Sequence, residues 1–139
     1  MVTSRYMPLG GIIKVGRVFK TRHFARWMRK TELTDAALCK AVQEMSQGLI
    51  DVDLGSGLVK KRVGIGNRGK RGGARTLVAT NKNNRWFFVF GFEKNERANI
   101  DADELEALQE LATQLLLRTP EDLEIAVADG ALKEICHEH

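Results

Sequence analysis

An α+β fold, with a helical hairpin ahead of three antiparallel strands and helices after them, follows from three observations. Apolar residues first recur at helical spacing between positions 24 and 49. The period then shortens to that of strands between 58 and 92, among glycines and turn residues. It lengthens again in an acidic C-terminal stretch beginning at Asp101. At 139 residues, 43% of them hydrophobic, the chain suits one domain with a modest core.

In chain order, residues 1–16 hold Pro8, Gly10, Gly11 and Gly16 with little periodicity. They form an N-terminal extension, compatible with a loose segment, an extra strand or an upstream start, before a single domain over 17–139. RVFKT (17–21) reads as a short strand. Phe24, Trp27 and Met28 then fall on one helix face. Thr34, whose hydroxyl can accept from free backbone N–H groups, caps a second helix. Its buried stripe is Leu38, Ala41, Val42, Met45 and Leu49, and Gly48 is its stop. These two form the helical hairpin.

A strand entered from Gly55-Ser56-Gly57 carries Leu58, Val59, Val63 and Ile65. A glycine-rich basic loop to Gly73 leads into ARTLVAT (74–80). Asn81-Lys82-Asn83-Asn84 is a turn. WFFVFGF (86–92) is the clearest strand. Trp86, Phe88, Phe90 and Phe92 are expected on one face, with Phe87 and Val89 on the other, so that both faces are covered. Asp101 caps the next helix, with Glu104 completing a capping box. Its face is Leu105, Leu108, Leu111, Ala112 and Leu115. Thr119-Pro120 opens a last helix that ends near Gly130.

Charge is strongly segregated. Residues 1–30 carry eight Lys/Arg and no Asp/Glu, and residues 31–56 one base and five acids. Residues 57–100 carry eleven bases and two acids, and residues 101–139 two bases and eleven acids. A basic central block attracts phosphate backbones; a solvated basic face balanced by the acidic tail is the plainer reading. No stretch approaches the apolar length of a membrane span, and the basic N-terminus lacks the continuous apolar segment of a signal peptide. Cys39 and Cys136 form no CxxC pair, so no disulfide framework is implied, and a reducing cytoplasm is the default location.

Lys60 and Arg62, two apart, project from one strand face, with Lys61 pointing the other way. Arg75 follows the Gly72-Gly73 pair, and Lys94 and Arg97 follow the aromatic strand. Convergence of Lys60, Arg62, Arg75, Lys94 and Arg97 on one concavity would hold a phosphate and stabilise charge developing on it. GIGNRG (64–69) satisfies G-x-G-x-x-G by letter, but it opens no helix and no βαβ unit follows. Gly69-Lys70 is followed by Arg71, so it is no Walker motif. The loop reads better as a mobile basic loop over RNA or the ribosome, with a simple flexible hairpin loop as the plainer alternative. His23 is expected to have a surface or capping role. Cys136, His137 and His139 lack further ligands at metal-site spacing, and no carboxylate pair stands out for acid–base work. The aromatic run is core, although Trp86 is a candidate to stack on a base.

LVKKRV, the glycine-rich loop ending in GGAR, WFFVFGF, and EKNERANIDADELEALQELA together resemble the RelE/ParE superfamily of type II toxin–antitoxin toxins, most closely its HigB-like branch. The resemblance covers about residues 17–117, and EDLEIAVADGALKEI is similar to the tail of that branch. It implies a microbial RNase fold, in which the hairpin packs on a curved antiparallel sheet, and a cytoplasmic, ribosome-dependent mRNA endoribonuclease that inhibits translation without metal or other cofactor. The implied catalytic residues are Lys60, Arg62, Arg75, Lys94 and Arg97. Lys61, Arg68, Lys70, Arg71 and Arg85 would contact RNA. The implied partners are the ribosome, mRNA and a cognate antitoxin, of helix-turn-helix type and encoded nearby. Two departures leave the acid and base unnamed: the C-terminal tyrosine of RelE-type sites is missing, Tyr6 being the only tyrosine, and Asn95 stands where an arginine is expected. The alternatives are a ParE-like, non-nucleolytic toxin of DNA gyrase, and a basic RNA-binding module without catalysis.

Overall fold

The computed structural model of the chain describes residues 15–66 and 69–137. Its elements, in order, are β1 (Arg17–Thr21), α1 (Arg22–Met28), α2 (Asp35–Ser46), β2 (Val52–Gly55), β3 (Leu58–Val63), β4 (Ala74–Thr80), β5 (Arg85–Glu93), α3 (Ala102–Leu116), α4 (Pro120–Ala128) and β6 (Leu132–Ile135). The strands form one sheet in the order β2-β3-β4-β5-β1-β6. β2 through β5 form an antiparallel meander. β1 returns beside β5 in parallel, and β6 closes the edge antiparallel to β1. The α+β class is as expected from the sequence, with two strands more than the periodicity shows. The segment after α4 is strand β6, which the helical reading of the C-terminus had missed.

Local chemistry sets the helix ends. The Thr21 hydroxyl accepts from the Phe24 N–H at 3.2 Å, and that of Thr34 from Ala37 at 3.1 Å. At α3 the Asp101 carboxylate accepts from the Glu104 N–H at 2.8 Å while Glu104 accepts from the Asp101 N–H at 2.9 Å. Thr119 and Asp122 repeat the reciprocal arrangement at α4, with Pro120 in the first turn. Each cap satisfies backbone donors left over at the helix start. After α2 the chain turns at Gly48, whose φ of +94° suits glycine. Leu49, expected in the buried stripe, lies beyond that turn and is exposed.

The sheet separates two apolar layers. On one side α1 and α2 cover Val18, Val59, Val78, Trp86 and Phe88 with Phe24, Leu38, Val42 and Met45. The Trp86 indole donates to the Val15 carbonyl at 2.7 Å, which ties the start of the described chain to this core. On the other side α3 and α4 cover Phe19, Leu58, Leu77 and Phe87 with Ala112, Leu115 and Leu123. Phe19 and Phe87 stack with centroids 5.1 Å apart. Strand β5 is thus covered on both faces, as the aromatic run implies.

Strict alternation along β5 fails at one point. The register shifts opposite Leu77 and Val78, so that Val78 pairs with Phe88 and Leu77 with Phe90. Val89 is the extra residue of a β-bulge. Phe90 and Phe92 therefore lie on the α3 side with Leu77 and Arg75, not beside Trp86 and Phe88. Gly91 then faces the α1 side, where a Cβ would come within 2.4 Å of the Trp27 ring.

Two long-range ties hold β6. Cys39 on α2 and Cys136 just past β6 are disulfide-bonded, with Cα atoms 5.5 Å apart. This corrects the expectation that the two cysteines are unconnected: they are 97 positions apart in sequence, and only the sheet brings α2 and the end of β6 together. Arg17 on β1 forms a fork to Glu134 at 2.9 and 2.8 Å and reaches Glu124 at 2.8 Å. The guanidinium holds the Glu134 carboxyl below the usual glutamate range. A carboxyl more acidic in the folded than in the unfolded chain stabilises above its unfolded pKa and loses that contribution as pH falls through the folded one. The urea midpoint is therefore expected to fall as pH drops below about 4.5, and Glu134→Gln should flatten that acid limb. Identical pH profiles for the two proteins would remove the pair from the account.

Candidate active site

Cross-strand register assembles the site. Lys60 pairs with Leu77, and Leu77 with Phe90; Arg62 pairs with Arg75, and Arg75 with Phe92. Directly paired residues share a face of a sheet. Lys60, Arg62, Arg75, Phe90 and Phe92 thus occupy the α3 side, as a row of cations on β3 and β4 beside two rings on β5. Arg62 is exposed, and Lys60 and Arg75 are half-buried. Two guanidinium-bearing residues directly opposite each other repel. That repulsion is relieved when an anion lies between them.

Counter-charges are unevenly distributed over the row. Asp51 meets Arg62 at 3.2 Å and accepts from its backbone N–H at 2.6 Å. Arg75 donates to the carbonyls of Arg71 at 3.3 Å and Gly73 at 3.5 Å and meets no carboxylate among the described residues. Lys60 donates to the Asn99 side-chain oxygen at 3.1 Å. Among the described residues, neither Arg75 nor Lys60 is paired with a carboxylate.

Arg97 joins the row from the segment after β5. Its Nε donates to the Asn99 carbonyl at 3.0 Å, so Asn99 links it to Lys60. Its guanidinium lies 5.9 Å from the centroids of both Phe90 and Phe92. It is also forked onto Glu104, at 2.9 Å through Nη1, and it holds that carboxyl below the usual range. Arg97 is thus positioned at the site with its charge already matched. Lys94 is exposed on the turn that follows β5.

The residues expected to contact RNA scatter. Lys61 points to the opposite face, as alternation requires. It is buried, 2.9 Å from Glu44 and bonded to the Leu49 carbonyl at 2.8 Å, and so braces α2 against β3. Lys70 pairs with the same carboxylate at 2.7 Å, and Arg71 is exposed. Burial works against ionisation of Glu44, but hydrogen bonds from Lys70 and Lys61 outweigh it and hold the carboxyl low. Arg68 lies outside the described residues. Arg85 sits at the other end of β5, bonded to the Arg118 carbonyl, roughly 20 Å along the strand from Phe92 at 3.3 Å per residue. Trp86 is fully buried on the α1 side and is core.

Two neighbours of the row were not singled out from sequence. Asn99 carried no motif. His23, expected to be a surface or capping residue, lies exposed with its ring flat on Phe90, centroids 5.5 Å apart and planes 9° apart. Only the meeting of α1 with the far end of β5 shows this contact.

The model of one family, described as the RelE toxin of the RelE/RelB toxin–antitoxin system, matches residues 16–135. A comparison with curated proteins finds no significant match. No helix among the described residues is long and apolar enough to cross a membrane. A match that runs from the start of β1 to the end of β6 takes in every strand of the sheet and the whole cationic row: the chain belongs to the RelE toxin family and is a toxin of a toxin–antitoxin system, with a cognate antitoxin as its partner.

Proposed function

We propose that this toxin is an endoribonuclease that cuts mRNA on the ribosome, in the manner of the HigB-like branch, and so inhibits translation in the cytoplasm. The observation that carries the reading is the cross-strand pair Arg62–Arg75, flanked by Lys60 and Arg97, on an open sheet face. The reaction that suits it is attack of a ribose 2′-OH on the adjacent phosphorus. The P–O5′ bond breaks, a 2′,3′-cyclic phosphate forms, and the 2′-OH proton leaves as the 5′-oxygen gains one. Charge grows on the phosphate oxygens in the transition state, and prepositioned cations there lower the barrier. Arg75 is assigned the main contact because no carboxylate among the described residues competes for it, with Arg62 and Lys60 beside it. Arg97 is assigned a positioning role through Asn99, Phe90 and Phe92. The antitoxin would be a helix-turn-helix protein encoded nearby.

Purified toxin added to ribosomes translating a defined mRNA tests this by mapping of RNA 5′ ends. The expected result is a cut within the codon in the A site that leaves a 5′-hydroxyl. Intact mRNA together with cleaved, gyrase-bound DNA in a parallel assay would overturn the reading in favour of a ParE-like toxin. Binding of RNA without any cut would reduce it to a binding module.

A further inference from the structure

Beyond the end of β1 the edge of β5 is open, and α1 leans over it. The result is a cleft of about 310 Å³, floored by residues 90–92 and walled by α1 and by the turn that follows β5. That volume is at the lower end of the roughly 300–1,000 Å³ of small-molecule sites. Its walls combine two chemistries. Trp27, His23 and Phe90 present ring faces, with the half-buried Trp27 seated over Gly91. Arg26 on α1 and Lys30 just beyond it are exposed cations four residues apart, on the same side of the helix. Among the described lining residues the one carboxylate is Glu96, which accepts at Oε1 from the Trp27 indole at 3.3 Å and the Glu93 N–H at 2.6 Å.

Planar rings with flanking cations form the surface that unpaired nucleotides prefer: bases stack on the rings, and phosphates meet the cations. The cleft is continuous with the cationic row, because Phe92 lines it and is also the cross-strand partner of Arg75. Neighbouring strands are about 4.8 Å apart, so an RNA strand crossing the row reaches the cleft within one nucleotide.

We infer that the cleft between α1 and the end of β5 is a second nucleotide subsite, in which an unpaired base of the RNA beside the cleaved phosphate stacks on Trp27 and His23 while Arg26 and Lys30 hold the following backbone phosphate. This rests on the RNA-cleaving reading above. The site adds a handhold on the substrate at a distance from the reacting phosphorus.

Binding of a short labelled single-stranded RNA to the full chain, followed by fluorescence anisotropy and tryptophan emission, tests it. The chain has two tryptophans, and Trp86 is fully buried, so quenching by a stacked base reports on Trp27. Wild type should be quenched on binding, and Trp27→Phe, which keeps a ring over Gly91, should bind without quenching. Arg26→Glu with Lys30→Glu should weaken binding about tenfold or more and lower the salt slope by at least about 0.7, the contribution of one phosphate contact on a single strand. Unchanged affinity, slope and quenching in that double variant, with binding still impaired by Arg75→Ala, would overturn the subsite and leave the cationic row standing. Weakened binding in the double variant beside normal binding and cleavage by Arg75→Ala would support the subsite and overturn the role given to Arg75. Quenching by an acidic peptide but not by RNA would overturn the subsite in favour of a protein-docking surface.

Discussion

Arg75→Ala is expected to lower the rate of mRNA cleavage by about 10²–10³, the usual loss when one prepositioned donor to a developing negative charge is removed. The toxin should stay folded. Arg75 is half-buried, its hydrogen bonds go to two carbonyls of the preceding loop, and the apolar layer beneath it is supplied by other residues. Its side chain can leave without stranding a buried charge. The measurement is single-turnover cleavage on ribosomes, alongside urea denaturation to confirm stability. Arg62→Ala should cost less, since Asp51 already offsets part of its charge. Arg75→Lys should recover only part of the activity, because an ammonium cannot present two parallel donors to a phosphate. A folded Arg75→Ala toxin that cuts at the normal rate would remove the row from the chemistry.

Reduction of the disulfide is expected to cost about 2–5 kcal/mol of stability, more than any other single covalent change. Cross-linking residues 97 apart limits the unfolded chain strongly, and closure of a loop of about 100 residues corresponds to about 4–5 kcal/mol in the chain-entropy account. Local geometry adds to the effect. Cys136 has a left-handed backbone, with φ of +62°, a conformation that an L-residue leaves when nothing holds it there. It follows a four-residue strand at the edge of the sheet. Urea midpoints with and without dithiothreitol, and for Cys39→Ser with Cys136→Ser, give the measurement. Equal midpoints, or two titratable thiols in the untreated protein, would refute it. Cys39 and Cys136 pack with the α1–α2 layer and the cationic row lies across the sheet, so cleavage should respond far less than stability. A toxin acting in a reducing compartment would then work on a reduced margin of stability with its site intact.

What could be read from the sequence was local. Helix starts were legible because one hydroxyl or carboxylate and a partner three residues on define them, as at Asp101 and Glu104. The cationic row was legible because strand alternation puts Lys60 and Arg62 on one face and Lys61 on the other. Features that depend on distant partners were not. LKEI in β6 has the composition of a helix turn, and only β1, at the far end of the chain, makes it a strand. The bulge at Val89 has only a weak residue signal, the Gly91 inside the strand, and its position appears only opposite Leu77 and Val78. Charge counting treats Arg97 and Arg75 alike, although Glu104 is paired with one and no carboxylate among the described residues meets the other. His23 opens α1 and reads as a surface or capping residue, because its contact with Phe90, 67 positions on, leaves no local signal.

The parallel insertion of β1 between β5 and β6 sets when the sheet can close. Arg17 can take its place beside Arg85 only after both strands exist, and β1 gains its second neighbour only with residues 132–135. Contacts so distant along the chain close slowly, since ordering precedes the contacts that offset it. Synthesis runs from the N-terminus, so β3, β4 and the cations they carry emerge before β5 and the last strand. The sheet therefore stays incomplete, with β1 short of its second neighbour, until residues 132–135 have been made.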